Sequence, residues 1–338
     1  MSDPAPSFAH IATMTDERGT FEHADHTTAR PMHGYCTDDM ARLLVVATRE
    51  PDPDAVVRGL ARTAFRFLAD AQGVNGTSRN RMNNRGRWHG RRSVDDCWGR
   101  SLWGFGTAAA RGGEGWLRQD SLAYFERGAE QRSPWPRAMA FAALGAAEIV
   151  AVDPAHRRAT ALLDGAANTI GSRQSRLDWP WPEPRLTYAN AVLPDAMMAI
   201  GAARNRPDLV EDGLFLLDWL ITRQTNGDHL SFVPVGGAGP GDAAPAFDQQ
   251  PIEAAALADA CARAAAITGS SSWAGHLRRT VDWFLGDNDV SARMIDSLTG
   301  GGYDGLTREG PNLNEGAEST LAAISTLQQA RHLVAITP

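Results

Sequence analysis

The chain has 338 residues, 43% hydrophobic and 22% charged, with a formal net charge of −7. It is long enough to bury a large core, and its acidity argues against a nucleic-acid footprint, which needs clustered positive charge. All 33 basic residues are arginine; without lysine there is no Schiff-base amine, P-loop lysine or lysine general base.

From the N-terminus, residues 8–33 read as a short hairpin around Glu17-Arg18-Gly19. Eleven helices follow in two alternating sets. The first runs from about Asp38 to Arg49, Asp95 to Arg111, Pro136 to Val152, Tyr188 to Arg204, Pro251 to Ile267 and Glu315 to His332. These are rich in Ala and Gly, which suits helices packed on both sides. The second runs from about Pro53 to Gln72, Trp116 to Gln131, Pro154 to Arg173, Pro207 to Arg223 and Ser272 to Leu285, with amphipathic stripes such as Phe65 and Leu68. Pro53, Pro154 and Pro207 suit a first helical turn, where a missing N–H costs nothing. Short connections between the sets imply antiparallel hairpins, repeated about six times. An inner and an outer ring follow, so the expected fold is an all-α (α/α)6 toroid. We expect one catalytic domain over 1–338, with 1–36 as an N-terminal extension packed on the toroid.

Each inner helix is preceded by a loop rich in carboxylates, amides or tryptophan. If the inner helices are parallel, all six loops open on one face. Gly34-Tyr35-Cys36-Thr37-Asp38-Asp39-Met40-Ala41-Arg42, Asp96-Cys97-Trp98-Gly99-Arg100, Ser133-Pro134-Trp135-Pro136-Arg137-Ala138, Asp248-Gln249-Gln250-Pro251-Ile252-Glu253, and Tyr303-Asp304-Gly305-Leu306 with Asn314-Glu315-Gly316-Ala317-Glu318-Ser319-Thr320 together resemble the six-hairpin glycosidase superfamily. More narrowly, they resemble a poorly assigned bacterial group found beside carbohydrate enzymes and sometimes labelled glycosyltransferase. Met40 stands where that pattern has Asn. The resemblance implies a glycan site at the toroid mouth.

Glycoside hydrolysis needs one protonated carboxyl and one carboxylate, about 5 to 9.5 Å apart depending on stereochemistry. Candidates must therefore come from different junctions. In the doublets Asp38-Asp39 and Asp95-Asp96 the side chains lie about 100° apart on a helix, so one points to the axis while the other caps the helix or pairs with Arg42 or Arg100. We take Asp39 and Asp96 as the inward members, with Asp248 and Glu315 completing the catalytic candidates; Glu315 could also cap its own helix.

Around them, Tyr35, Asp38, Asp95, Tyr188, Tyr303 and Asp304 are expected to bind the sugar. Trp98, Trp135 and Trp181 could stack on pyranose faces, and the prolines of Trp179-Pro180-Trp181-Pro182 preclude a helix and favour exposed aromatic walls. Asn190, Gln249, Gln250 and Asn314 offer paired donors and acceptors that match vicinal hydroxyls. Arg137 could hold an anionic substituent or pair with Asp96 or Glu183.

His23, His26 and His33 cluster before the first junction, but their spacing fits no metal motif, and His33 is read as part of the pocket. Cys36, Cys97 and Cys261 lack CxxC spacing, and no metal or cofactor is expected. The segment Arg79, Arg81, Arg85, Arg87, Arg91 and Arg92 reads as a loop over the cavity mouth. No leader and no apolar run long enough for a membrane are visible, so a soluble cytoplasmic protein is expected. The expectation is a glycoside hydrolase acting on an oligosaccharide. A sugar phosphorylase or epimerase on the same toroid, a terpene enzyme, or a non-catalytic glycan-binding module are the alternatives; the oligomeric state is open.

Overall fold

A computed structural model describes residues 5–176 and 178–336, with side chains through 332. Six inner helices form the ring: α2 (Thr37–Arg49), α4 (Asp96–Arg111), α6 (Pro136–Val152), α8 (Val192–Arg204), α10 (Pro251–Thr268) and α12 (Ala317–Ile336). Each packs on the next, and α12 returns to α2, so the ring closes. Five outer helices back them: α3 (Ala55–Ala71), α5 (Gly115–Gly128), α7 (Arg157–Ile170), α9 (Pro207–Arg223) and α11 (Ser271–Leu285). The fold is the (α/α)6 toroid. The sixth outer position, where no helix was legible, holds the five-residue α1 (Ala9–Thr13), packed on α12.

The inner helices use small residues to bring backbones together. In α4 every residue from Cys97 to Ala108 is buried. A methyl group on Gly99 would lie 2.1 Å from the Ala138 carbonyl oxygen, and one on Gly145 would lie 2.1 Å from that of Leu102. Such contacts leave no room for a side chain, which is why α4 and α6 share glycines along their seam. The outer helices bury one stripe each; α3 inserts Val57, Leu60, Ala64, Phe65 and Leu68, and Asp54 caps it by accepting from the Val57 N–H at 2.8 Å.

Helix α3 begins at Ala55 rather than Pro53 and α12 at Ala317 rather than Glu315, and two further starts differ more from the sequence reading. Helix α7 begins at Arg157 rather than Pro154, because His156 takes the cap and its Nδ1 accepts from the Ala159 N–H at 3.2 Å. Helix α8 begins at Val192 rather than Tyr188, because Ala189 adopts φ 45° and the Asn190 side chain is held by tertiary bonds.

Short ribbons edge one end of the ring. Strands β1 (Ala24–Asp25) and β2 (Thr28–Ala29) pair in the N-terminal segment, and around Glu17-Arg18-Gly19 a single antiparallel bridge joins Thr15 to Thr20. A three-stranded antiparallel sheet joins β3 (Tyr35–Cys36), β4 (Arg81–Met82) and β5 (Trp88–His89). Strand β3 runs directly into α2. No helix among the described residues is long and apolar enough to cross a membrane.

Candidate active site

The first turns of α2, α4, α10 and α12, with the loop before α8, surround a cleft of about 420 Å³. Its walls carry Asp38 and Arg42, Asp96 and Arg100, Thr187 and Tyr188, Gln250 and Glu253, and Glu318. A narrow apolar gap of about 40 Å³, bordered by Trp103, Phe141, Leu144 and Ile252, continues from it between the inner helices. Helix N-termini carry partial positive charge, so a ring of them favours carboxylates at this end.

Two arginines order these carboxylates. Arg42 donates to Asp39 at 2.5 Å and, with its other terminal nitrogen, to Glu318 at 2.6 Å, tying the first and last inner helices together. Arg100 lies 3.8 Å from Asp96 and its guanidinium sits 3.9 Å over the Phe141 ring. Asp96 also accepts from the Tyr188 hydroxyl at 2.8 Å. Glu253 is buried and accepts from the Asn190 backbone N–H at 3.1 Å and its side-chain amide at 3.0 Å.

Asp38 is different. Its Oδ1 is buried and has no hydrogen-bond partner. Burial raises the Asp38 pKa, assisted by the charges of Asp96 and Glu318 and opposed by Arg100 and Arg42. Burial of this kind favours the protonated over the charged form of a carboxyl. Burial also raises Glu253, against the bonds from Asn190, and lifts Asp39 to about 7 against the pull of Arg42. The Tyr188 hydroxyl is raised by burial and by Asp96.

The other expected site residues fall into three groups. Some are engaged within the protein. Asp39 is buried against Arg42. Glu315 is buried where Thr299 donates to it at 2.6 Å and His10 Nδ1 lies 3.4 Å away. Tyr35 is in the core and donates to Asp16 at 2.7 Å, and Trp98 donates to the Gly128 carbonyl at 3.1 Å. Arg137 bonds Glu183 at 2.6 Å and Asn190 at 3.1 Å rather than Asp96. Asn190 also accepts from the Thr187 N–H, and Gln249 is buried among Phe232, Ser231 and Asp289. Asp304 accepts from the Gly316 N–H and the Ser319 hydroxyl at the start of α12, and Tyr303 lies 3.4 Å from Asp296. Asn314 accepts from the His26 N–H at 2.9 Å.

A second group is exposed outside the cleft walls: Asp95, which precedes α4 without a side-chain cap, Trp135, Asp248, and His33, whose ring meets His23 edge-on at 5.0 Å. The third group, Asp38, Asp96, Tyr188 and Gln250, lines the cleft. The expected exposed wall at Trp179 and Trp181 is corrected: their prolines do exclude a helix, but both indoles are buried and pack on Trp219 of α9. Apolar area left uncovered by the irregular backbone is covered by these rings instead.

Arg42, Arg100, Thr187, Glu253 and Glu318 line the cleft although they were not singled out as site residues. A signal existed for two of them: Asp38–Arg42 and Asp96–Arg100 repeat the same four-residue spacing in the first turns of two inner helices, which stacks each pair on one helix face. Glu22, Cys36 and Asp39 place ligand-type atoms within 4.8 Å of one another, but Glu22 is bound by Arg81 and Asp39 by Arg42, so the set is taken up by cations of the protein.

No protein-family model matches the sequence, and comparison with curated proteins finds no match. Solved structures do resemble it. A sugar epimerase from a ruminal bacterium superposes with a TM-score of 0.73 at 10% identity, covering 95% of this chain and 95% of that one. A D-mannose isomerase superposes at 0.69 and 10% identity, covering 96% and 94%. A cellulase of C. cellulolyticium in complex with cellobiose superposes at 0.65 and 8% identity, covering 94% and 88%. At these identities the likeness shows the fold alone, and this chain shares the (α/α)6 toroid with these structures.

Proposed function

We propose that this toroid is a carbohydrate-processing enzyme that hydrolyses a glycosidic bond of an oligosaccharide in the cleft at the N-terminal ends of the inner helices. The observation that carries the reading is the Asp38 carboxyl on the cleft wall, whose buried Oδ1 lacks a partner, with burial favouring its protonated form. Asp38 serves as general acid and protonates the leaving oxygen. Asp96, fixed by the Tyr188 hydroxyl and Arg100, is the carboxylate that activates water or attacks the anomeric carbon. Glu318, held by Arg42, and Gln250 position the sugar hydroxyls. Of the four carboxylates expected to be catalytic, only Asp96 keeps that role here; Asp39 orients Arg42, and Glu315 anchors the start of α12.

A second reading, sugar epimerisation or isomerisation, draws on the superposed epimerase and isomerase toroids. It needs proton-transfer groups on both faces of one carbon. His23 and His33 touch each other and cannot flank a sugar, so Asp38 and Tyr188 would have to share the task. One experiment separates the two: the protein is incubated in D2O with a panel of oligosaccharides and with free mannose and cellobiose, and products are read by chromatography and NMR. Hydrolysis yields new reducing ends without deuterium at C2; epimerisation places deuterium at C2 with every glycosidic bond intact. An Asp38→Asn protein that retains full turnover of the reactive sugar rules out the assignment of Asp38.

A further inference from the structure

Residues 79–92 contain six arginines and no acidic residue in a chain of net charge −7. The structure fastens the base of this segment to the start of α2, one of the helices that wall the cleft. Strand β4 pairs with β3 so that Arg81 stands opposite Cys36, two residues before Asp38. The Thr37 N–H donates to the Asn80 carbonyl at 2.8 Å, and the Thr37 hydroxyl to the Arg79 carbonyl at 2.7 Å. Arg81 pairs with Glu22, whose carbonyl accepts the Ala317 N–H at 3.1 Å, beside Glu318. The basic segment is thus stitched to the N-terminal ends of α2 and α12, both of which supply walls of the cleft.

Arg81 and Arg92 have partners, in Glu22 and the Ala71 carbonyl, but Arg85, Arg87 and Arg91 are exposed, as are His23, Arg30 and His33 of the N-terminal segment. Among the described residues, no carboxylate lies within ion-pair distance of Arg30, Arg85, Arg87 or Arg91, whereas Arg42, Arg49, Arg137 and Arg263 elsewhere are each paired. The Arg30 N–H donates to the His23 carbonyl at 2.9 Å, next to Glu22, the partner of Arg81. A guanidinium fork recognises a carboxylate or sulfate with two parallel hydrogen bonds, and unpaired forks clustered at a cleft mouth raise the local concentration of anions.

We propose that the β4–β5 hairpin and Arg30 form an anion-selecting rim, so that the substrate is an oligosaccharide bearing anionic substituents. The inference rests on the cleft being a sugar site, and it names the class of sugar. A neutral glycan would gain nothing from these unpaired guanidinium groups, and nucleic acid is disfavoured by the carboxylates lining the cleft beside them.

Calorimetric titration of the full-length protein tests this with two matched pairs: trigalacturonate against its methyl ester, and sulfated against unmodified cellotriose. The expected result is at least tenfold tighter binding of one anionic member over its neutral partner in 20 mM salt, shrinking toward equality in 500 mM salt as screening removes exposed attractions. Carboxylate and sulfate preferences are read separately. In a triple variant, Arg85→Gln, Arg87→Gln and Arg91→Gln, the preference should fall to about onefold with the thermal midpoint unchanged. Equal binding within both pairs by the unaltered protein overturns the inference, as does a preference that survives in the folded triple variant. Tighter binding of a 12-base-pair DNA duplex than of any oligosaccharide overturns it too. Preference for the anionic member with no cleavage of any glycan leaves this inference standing and removes the hydrolytic reading; cleavage of neutral glycans without that preference does the reverse.

Discussion

The two ends of the inner ring use the same helices in opposite ways. At the C-terminal ends a cavity of about 650 Å³, larger than the cleft, is lined by Arg49, Arg111, Arg263, Arg331, Glu148 and Asp259. Every one of those arginines has a partner: Asp259 at 2.9 Å, Glu148 at 2.7 Å, Asp195 at 2.5 Å and Glu50 at 2.8 Å respectively. At the N-terminal ends one carboxyl oxygen has none, and Arg42 is shared between two acids. Cavity size therefore does not select the site. The charge-saturated end spends its charges on holding the ring, whereas the other leaves a buried carboxyl oxygen unpartnered.

The sharpest way to break this contrast is at the saturated end. Arg263→Ala strands the buried Asp195 carboxylate, and we expect a loss of about 3 kcal/mol in unfolding free energy with turnover nearly unchanged. A large fall in turnover per folded molecule would show that the two ends are coupled. Next in size, Asp38→Asn and Asp96→Asn should each lower turnover at least about a hundredfold, as loss of an acid or base does. The Asp38→Asn midpoint should hold or rise, since a desolvated acid is removed.

Glu315→Gln should cost roughly 1–3 kcal/mol of stability, because Thr299 and His10 meet its carboxylate in a buried pocket, while turnover stays within a few-fold. Turnover falling with stability intact would restore Glu315 to the chemistry. Tyr188→Phe removes one bond to Asp96 and should lower turnover about tenfold without moving the midpoint.

The pH dependence sharpens the comparison further. Asp39 is raised by burial from 3.8 to about 7, so the folded state holds its proton more tightly than the unfolded chain. Stability from this group is complete below pH 3.8 and is lost as pH rises through about 7. Chemical denaturation across that window should show a decline that Asp39→Asn flattens.

How much of this was legible depended on distance along the chain. Helices α6 and α9 start and stop where the sequence reading put them, because Pro136 and Pro207 mark first turns and the apolar pattern is local. The ring itself was legible from repetition of hairpins. The start of α8 was not, since Asn190 answers to Glu253 of α10. Within the first doublet the sequence points to Asp39 as the inward member, while the structure puts Asp38 on the cleft wall and turns Asp39 to Arg42. Neighbours 100° apart can be ordered only once the ring axis is known. Glu318 was hidden for a similar reason: its partner is Arg42, and nothing near it in sequence reports that.

Arg42 and Glu318 stand 276 positions apart, yet one guanidinium joins them across the seam where the ring shuts. A nascent chain emerging from the ribosome has no such clasp until its final helix is made. Under the proposed chemistry turnover would double as a readout of completed assembly: a product truncated before α12 would retain Asp38 and Asp96 in its primary structure and still lack a finished wall around them.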